Sequence, residues 1–244
     1  MPRLYVSSQN ISGNKITVVD KKQLHHLRDV LRLKVKEEVI VFDNQGHEYI
    51  AEIDNLSPQR MILKIKEKKK NIMRDTTKIT IACAIPKKSK LDDIIDKLTQ
   101  LGVDRIIPLE TERVIVNLDE KKKAARLTRW RKIAQSSSLQ SQRNNLPIID
   151  PVRNLKEVIS GAQEFDLKLI PTLLGERKTL KEILQKSQYK NILIFIGPEG
   201  DFTPQEVTLA RQAGCIPVSL GDLVLRVETA AIAVVSFFRF YADY

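Results

Sequence analysis

The sequence predicts an α/β protein with a small N-terminal β-barrel and a larger C-terminal domain built on a mostly parallel sheet. Two observations carry this prediction. Short strand-like runs fill most of residues 1–70, whereas strand-like and helical segments alternate from Lys78 onward. Such alternation is typical of a parallel sheet covered by helices. The polar stretch KEKKKNIMRDTTK, residues 66–78, separates the two parts and is interpreted as a linker.

The N-terminal part is predicted to be a twisted barrel with a helical plug. Its strand-like runs are RLYV, KITVV, EEVIVFD, EYIAEID and RMILKIK. One helix, from Lys21 to Leu33, interrupts them, and its apolar face consists of Leu24, Leu27, Val30 and Leu31.

The C-terminal part alternates strands and helices. The predicted strands are KITIACAI, RIIPL, LKLIPTLL, ILIFIGPEG and CIPVSLG. Ser89 and Asp92 form a capping box before a helix whose apolar stripe ends at Gly102. A basic helical stretch runs from Leu118 to Ser141, and ETAAIAVVSFFRFY near the C-terminus is helical.

The composition favours a polyanionic partner. The chain has 244 residues and a formal net charge of +11, so nucleic acid is the first candidate and an anionic membrane surface is the alternative. No stretch approaches the roughly 18 apolar residues of a membrane span, and the N-terminus lacks the apolar core of a secretory signal. We therefore expect a cytoplasmic location and no membrane association.

The cysteines and the glycine motifs indicate no metal site and no ordinary nucleotide loop. Cys83 and Cys215 lie in apolar, strand-like settings and are interpreted as buried free thiols, because they form no metal-ligand spacing with the histidines. Neither GxxxxGK[ST] nor GxGxxG occurs.

The stretch FIGPEGDFTPQEV, residues 195–207, predicts a pocket. A buried strand runs into a glycine turn, and a helix begins at once, since Thr203 and Glu206 form a capping box with Pro204 at the first helical position. In open α/β sheets, ligands bind beyond the carboxyl ends of the strands. Three strand ends carry turn residues, at 172–175, 197–200 and 220–222. A pocket walled there by backbone amides and carbonyls would suit a flat, neutral heterocycle such as adenine.

GPEGDFTPQEV followed by LGDLVLRVETAAIAV resembles one family over nearly the whole chain. Together with KLTQLGVDRIIPLETERVIV and QSQRNNLP, these motifs are similar to the 16S ribosomal RNA uridine-N3 methyltransferases, the RsmE family of the SPOUT class. The resemblance implies a PUA-like, RNA-binding β-barrel over residues 1–70. It also implies a SPOUT domain over residues 75–244, with a deep trefoil knot, that binds S-adenosylmethionine (SAM), carries out catalysis and forms a homodimer.

The implied activity is SAM-dependent methylation of N3 of a specific uridine in the 16S rRNA of the small (30S) ribosomal subunit, a step of ribosome biogenesis. The implied cofactor-binding residues are Thr172, Leu173, Leu174, Gly197, Pro198, Glu199, Gly200, Leu220, Gly221, Leu225, Arg226, Thr229 and Ala230. Two alternatives stay open: a SPOUT methyltransferase acting on another rRNA or tRNA nucleotide or on a ribose hydroxyl, and a non-catalytic RNA-binding protein.

Two residues are candidates for catalysis. Arg226 is placed to stabilise the negative charge that spreads over N3 and both carbonyl oxygens as the uridine proton leaves; the alternative is that it braces a helix start or a subunit contact. Glu199 could take that proton, but a carboxylate in a tight turn is often there to bind backbone amides. Thr229 is a candidate cap of the last helix, and Glu228 a candidate ion-pair partner across the dimer.

A basic surface is predicted to contact phosphates. Its members are Arg113 and Arg143, together with Lys121, Lys122 and Arg129 of a longer charged run over residues 121–132 that could also be a solvated helix face. Trp130 lies in this run, and core packing is favoured over stacking on a base because its helical neighbours are apolar. The chain departs from the family pattern at residues 136–141 (SSSLQS, without the usual two glutamates), at Asp201 in place of glycine, and at Val227 in place of threonine.

Overall fold

A computed structural model of the chain describes residues 1–70, 77–87, 90–114, 119–184 and 189–241. The chain divides into two compact units. The N-terminal unit contains residues 1–74 and 138–146, and the C-terminal unit contains residues 75–137 and 147–244. Among the described helices, none is long and apolar enough to cross a membrane.

The N-terminal unit is built on a six-stranded sheet. The strand order is β1-β4-β5-β6-β3-β2, with β1 parallel to β4 and the other pairs antiparallel. The strands are β1 (Arg3–Tyr5), β2 (Ile11–Ser12), β3 (Lys15–Val18), β4 (Glu38–Phe42), β5 (His47–Leu56) and β6 (Met61–Lys70). All five predicted strands are confirmed, and a 3-10 turn at Ser8–Asn10 and the short β2 were not predicted.

The linker prediction was wrong over its first residues. Strand β6 continues to Lys70, and its lysine-rich end pairs with β5, where Tyr49 lies opposite Lys68. The cross-strand ladder and the placement of Lys68 Nζ 5.6 Å from the ring centroid of Tyr49 support a strand that its own composition does not favour.

The predicted plug helix is shorter than expected. Helix α1 (Lys21–His25) passes into a π-helical turn over His26–Val30, so the single helix to Leu33 was wrong. Leu24 and Leu27 are buried among the strands, as predicted, but Val30 and Leu31 are exposed. A π turn has more residues per turn than an α-helix, which rotates residues 30 and 31 away from the face that the α period assigns them. Arg32, with φ +54°, ends the segment.

The C-terminal unit is built on an eight-stranded sheet in which every neighbouring pair is parallel. Seven strands run in the order β10-β8-β7-β13-β11-β14-β12, and β9 also pairs with β8. The strands are β7 (Lys78–Ala84), β8 (Arg105–Glu110), β9 (Ile148–Ile149), β10 (Arg153–Asn154), β11 (Leu167–Pro171), β12 (Lys178–Thr179), β13 (Asn191–Ile196) and β14 (Ile216–Ser219). The predicted parallel sheet is confirmed; the knot stays a prediction.

Helices cover this sheet. They are α2 (Lys90–Gln100), α3 (Glu120–Gln140), α4 (Leu155–Ser160), α5 (Leu180–Leu184), α6 (Pro204–Gln212) and α7 (Val227–Tyr241). The capping box of Thr203 and Glu206 with Pro204 is confirmed. Ser89 and Leu118, which the sequence places at two helix starts, lie outside the described residues.

Two predictions about buried side chains are confirmed. Trp130 is 2% exposed and belongs to the core formed by α2, α3, α7 and the sheet, and its indole Nε1 donates to Asp92 Oδ1 at 3.1 Å. Cys83 and Cys215 are buried free cysteines. Burial raises the pKa of the Cys83 thiol to about 12 and that of Cys215 to about 11, so neither thiol is a nucleophile at neutral pH.

Candidate functional site

The strand order brings three turn-bearing strand ends together. Strand β11 pairs with β13 on one side and β14 on the other, and all three run parallel, so their carboxyl ends lie at one edge of the sheet. A pocket forms at that edge. It is lined by residues from all three following segments: the 172–177 loop after β11, the 197–203 loop after β13, and the 220–226 loop after β14.

Most of the predicted cofactor residues line this pocket. The lining includes Thr172, Leu173, Gly197, Pro198, Glu199, Leu220, Gly221, Leu225 and Ala230. The predicted residues Leu174, Gly200, Arg226 and Thr229 stand outside the lining. The sequence did not single out the other lining residues as cofactor contacts: Pro171, Arg177, Ile196, Asp201, Val218, Leu223, Val224 and Val227.

The glycine turn after β13 is packed too tightly for side chains at its first position. A Cβ at Gly197 would stand 3.1 Å from the buried ring of Phe202, closer than ordinary carbon contacts. Glu199 Oε1 accepts a hydrogen bond from the backbone amide of Lys87, in the loop after β7, at 3.2 Å. Glu199 thus does bind an amide, although the amide belongs to a neighbouring loop and not to its own turn.

Asp201 joins two of the pocket loops. Its Oδ2 accepts from Thr172 Oγ1 and from the Leu173 amide, both at 2.8 Å, and its Oδ1 accepts from the Phe202 amide at 2.8 Å. The sequence marked this residue as a departure from glycine, and that departure was the signal that could have found it.

Three arginine side chains donate hydrogen bonds to backbone carbonyl groups of these pocket loops. Arg177 Nη1 donates to the Thr172 carbonyl at 3.2 Å, and Arg211 Nη2 donates to the Glu176 carbonyl at 2.8 Å. Arg113, predicted to contact phosphate, donates to the Gly200 carbonyl. These arginines therefore have structural partners in the pocket loops of the isolated chain.

Arg226 lies at the junction of the third pocket loop and α7. Its backbone carbonyl accepts from the Ala230 amide at 2.8 Å, and its side chain is exposed. Next to it, Glu228 pairs with Lys90 of the same chain at 3.2 Å. The bond from its own backbone amide, helped by Lys90, lowers the pKa of Glu228. The expectation that Thr229 caps α7 was wrong, because Thr229 is the third residue of that helix and is exposed.

The predicted phosphate-binding residues differ in their local partners. Arg129 forms an ion pair with Asp92 at 2.6 Å, and Lys122 pairs with Asp119 at 3.1 Å. Lys121 is exposed and has no ion pair with any residue that the structure describes. Arg143 follows α3, and its amide donates to the Ser138 carbonyl at 2.9 Å.

A second, wider groove lies between β8, α4 and α6. It has a volume of about 960 Å³ and is lined by Glu110, Glu112 and Glu206 among other residues. Its lining also contains Lys156, and the Glu206 carboxylate already accepts from the Thr203 and Glu112 amides, so the groove has no charge pattern that selects a phosphate.

The fold and the pocket agree with the family comparisons. A family model described as an RNA methyltransferase domain matches residues 73–239, and a model of the RNA methyltransferase PUA domain matches residues 19–66. The chain therefore belongs to the RNA methyltransferases that carry a PUA domain.

Named relatives narrow the family. The chain is 28% identical to ribosomal RNA small subunit methyltransferase E of Bacillus subtilis, covering 97% of this chain and 95% of the relative. It is 30% identical to the Rickettsia conorii protein of the same name, covering 96% and 93%. It belongs to the ribosomal RNA small subunit methyltransferase E family.

Solved structures agree with this assignment. A methyltransferase of Legionella pneumophila in complex with SAM superposes with a TM-score of 0.87 at 29% identity, over 97% of this chain and 96% of that one. Ribosomal RNA small subunit methyltransferase E of Neisseria gonorrhoeae, bound to SAM, has a TM-score of 0.84 at 30% identity, with coverage of 97% and 96%. The predicted family, the enzyme class and SAM as the cofactor of the family are confirmed.

Proposed function

We propose that this protein transfers a methyl group from SAM to N3 of one uridine in the 16S rRNA of the small ribosomal subunit. The observation that carries the proposal is the pocket where the loops after β11, β13 and β14 meet, in a chain that belongs to the ribosomal RNA small subunit methyltransferase E family. The cytoplasmic location is part of the same proposal.

The pocket residues fit SAM, which supplies a methyl group on a positively charged sulfur. The apolar side chains of Val218, Leu220 and Leu225 would cover the faces of the adenine ring, and the carboxylate of Glu199 suits a cationic ligand. Gly197 is needed for packing, since a Cβ there would meet the Phe202 ring, and the backbone of this turn forms part of the pocket wall.

Arg226 is the proposed catalytic cation. When the N3 proton leaves, negative charge spreads over N3 and the two uracil carbonyl oxygens, and a planar guanidinium can donate to two acceptors at once. Its exposed side chain beside the pocket loop 220–226 supports this role. Glu199 is proposed to act chiefly through its bond to the Lys87 amide, holding the glycine turn against the loop after β7.

A methyl-transfer assay tests the proposal. Labelled SAM is offered with unmodified small subunits, naked 16S RNA and large subunits in parallel, and the RNA is then digested for nucleoside mass spectrometry. We expect label in the small-subunit sample as 3-methyluridine. Label in another nucleoside, or on a ribose, would change the target; SAM binding without label in any sample would move the substrate elsewhere; no SAM binding would favour the non-catalytic RNA-binding alternative.

The basic face of α3 is proposed to bind RNA phosphates together with Arg113 and Arg143, and the N-terminal PUA unit is proposed to add RNA contacts. We expect Lys121→Gln to reduce the slope of log K against log salt by about 0.7 to 0.9, because one phosphate contact contributes that much. Filter binding to a 16S RNA fragment over a salt series measures the slope.

Arg129→Gln is the matched control for Lys121→Gln. Asp92 already neutralises the Arg129 guanidinium at 2.6 Å. Loss of the Arg129 side chain should therefore change the salt slope less than loss of the Lys121 ammonium. Equal slopes for wild type and Lys121→Gln would contradict an RNA contact at this end of α3.

A homodimer is proposed as the functional state. Large apolar side chains are exposed in the 220–226 loop and at the end of α7: Leu223 is 78% exposed, Val224 76% and Phe240 65%. Large apolar side chains that are this exposed are typical of an interaction surface. Leu223 and Val224 also line the cofactor pocket, so a second subunit at this loop would lie beside that pocket. The proposed site then draws on both subunits.

Phe240→Glu should weaken the dimer. Two carboxylates would be buried at or near the two-fold axis without partners if α7 contributes to the interface. Light scattering coupled to size exclusion should show wild type near twice the 27.9 kDa chain mass and the variant shifted towards one chain mass. Val19→Glu, at an exposed apolar side chain of the N-terminal unit, is the control and should leave the mass unchanged.

A further inference from the structure

We propose that Asp201 is a positioning residue that fixes the 172–177 loop to the glycine turn after β13 and so holds one wall of the cofactor pocket in its binding shape. The inference rests on the proposed function, because it concerns the same pocket. It adds a residue at a position where the family resemblance predicts glycine.

The carboxylate of Asp201 accepts hydrogen bonds from three donors. Thr172 Oγ1 and the Leu173 amide reach Oδ2, and the Phe202 amide reaches Oδ1, each at 2.8 Å. Hydrogen bonds to an ionised acceptor are stronger than neutral ones. Two of the donors belong to the loop after β11 and the third to the turn after β13, so one side chain ties both loops.

The backbone at Asp201 has a conformation that residues with a side chain normally avoid. The residue has φ +60°, in the left-handed region that glycine adopts freely and that side chains disfavour. Aspartate and asparagine are among the few other residues that enter this region, because their short polar groups can bond locally. The three carboxylate bonds offset this disfavoured conformation.

Thr172 and Leu174 have further contacts, because the Thr172 amide donates to the Val218 carbonyl at 3.3 Å and Leu174 packs against a buried cluster. The restraint by Asp201 therefore matters most at Leu173. Leu173 is 52% exposed, so packing fixes it weakly. The Leu174 amide donates to Thr172 Oγ1 at 3.2 Å, so the Thr172 hydroxyl passes the restraint from Asp201 on to the next residue. Arg177 and Arg211 hold carbonyl groups of the loop, at Thr172 and Glu176. Asp201 therefore restrains the Leu173 amide by a direct hydrogen bond and the Leu174 amide indirectly, through the Thr172 hydroxyl.

Two substitutions separate the contributions of Asp201. Asp201→Asn keeps the tolerance for positive φ but replaces one acceptor oxygen with a donor that faces an N–H or O–H group, so at least one bond is lost. Asp201→Gly removes all three bonds and relaxes the backbone. We expect Asp201→Asn to bind SAM about tenfold more weakly, as the loss of one charged hydrogen bond would produce, and Asp201→Gly to bind at least as weakly, because a relaxed backbone does not restore the lost bonds.

Asp166→Asn is the matched control. Asp166 Oδ2 accepts from the amides of Lys190 and Asn191 at 2.9 Å, at the amino end of β13 and opposite the pocket edge. Both bonds reach one oxygen, so asparagine keeps an acceptor there and loses only the negative charge, in the same unit and away from the pocket. Its SAM dissociation constant should stay within about twofold of wild type while its thermal midpoint falls, because its two hydrogen bonds lose the charge of their acceptor.

Calorimetric titration of the full chain with SAM is combined with hydrogen exchange of the ligand-free protein. Faster exchange at Leu173 and Leu174, weaker SAM binding by both Asp201 variants, and unchanged binding by Asp166→Asn would support the inference. Unchanged SAM affinity in the Asp201 variants, with SAM bound normally by wild type, would overturn the inference and leave the pocket standing. Failure of wild type to bind SAM would overturn the pocket and the inference together.

Discussion

Arg226→Lys should lower methyl transfer by about 10²- to 10³-fold, the effect of removing one donor aimed at a developing negative charge. Lysine keeps the positive charge and three donors but loses the rigid planar pair that meets two neighbouring acceptors in one plane. The SAM dissociation constant should stay within about twofold of wild type, because Arg226 is outside the pocket lining. Single-turnover methylation of small subunits and SAM titration measure the two quantities.

The alternative role of Arg226, bracing the start of α7 or a subunit contact, gives a different pattern. At the start of this helix the Ala230 amide donates a hydrogen bond to the Arg226 carbonyl. Replacing the Arg226 side chain leaves this backbone bond in place. A purely structural Arg226 would therefore show a lower thermal midpoint or a lost dimer with normal turnover of the remaining enzyme. Arg153→Lys, which loses only part of a pairing with Asp150 away from the pocket, controls for a general effect of the replacement.

The sequence predicts the location of the pocket because the relevant signals are local. Glycines beside a capped helix at Thr203 mark a strand end, and parallel strands place their ends at one edge. Which strands become neighbours is not local, because β11 lies between β13 and β14 through pairings across many residues. The order of the sheet therefore had to come from the structure or from the family resemblance.

The side-chain ties of the pocket could not be read from the sequence. Arg177 and Asp201 reach carbonyl and amide groups of loops that the turn pattern marks only as turns. A charged residue in a loop is usually solvated, so its bond to a distant backbone group has no signature in spacing or periodicity. The π turn at His26–Val30 was not predicted for a related reason. An apolar pattern fitted to the α-helical period cannot show a change of period within one helix.

Helix α3 contains both buried and exposed side chains, and their burial distinguishes its core residues from its charged surface. Trp130 and Ala134 point into the core while Lys121 and Arg129 are exposed, so one helix supplies both core and charged surface. Asp92 bonds to both the Trp130 indole and the Arg129 guanidinium. The aromatic ring is consequently fixed inside the C-terminal unit and is not available to stack on a base.

Trp130→Ala should therefore destabilise the C-terminal unit by about 3 to 5 kcal/mol, the range for truncating a buried large aromatic side chain. The indole is 2% exposed, and its loss leaves a cavity among α2, α3 and the sheet and removes one donor from Asp92. Urea unfolding is followed by circular dichroism and not by tryptophan fluorescence, because the substitution removes the chain's one tryptophan. Trp130→Phe should lose less, since most of the ring volume is retained.

The two roles of Trp130 separate when stability and RNA affinity are measured on the same variants. A core residue lowers the urea midpoint and, at a temperature where the protein stays folded, leaves RNA binding within about twofold of wild type. A stacking residue would do the reverse, since base–aromatic stacking contributes about 1 to 3 kcal/mol to binding. Because the indole nitrogen is already bonded to Asp92, we expect Trp130→Phe to show a lower urea midpoint with normal RNA affinity, and a loss of RNA affinity at full stability would overturn the core assignment.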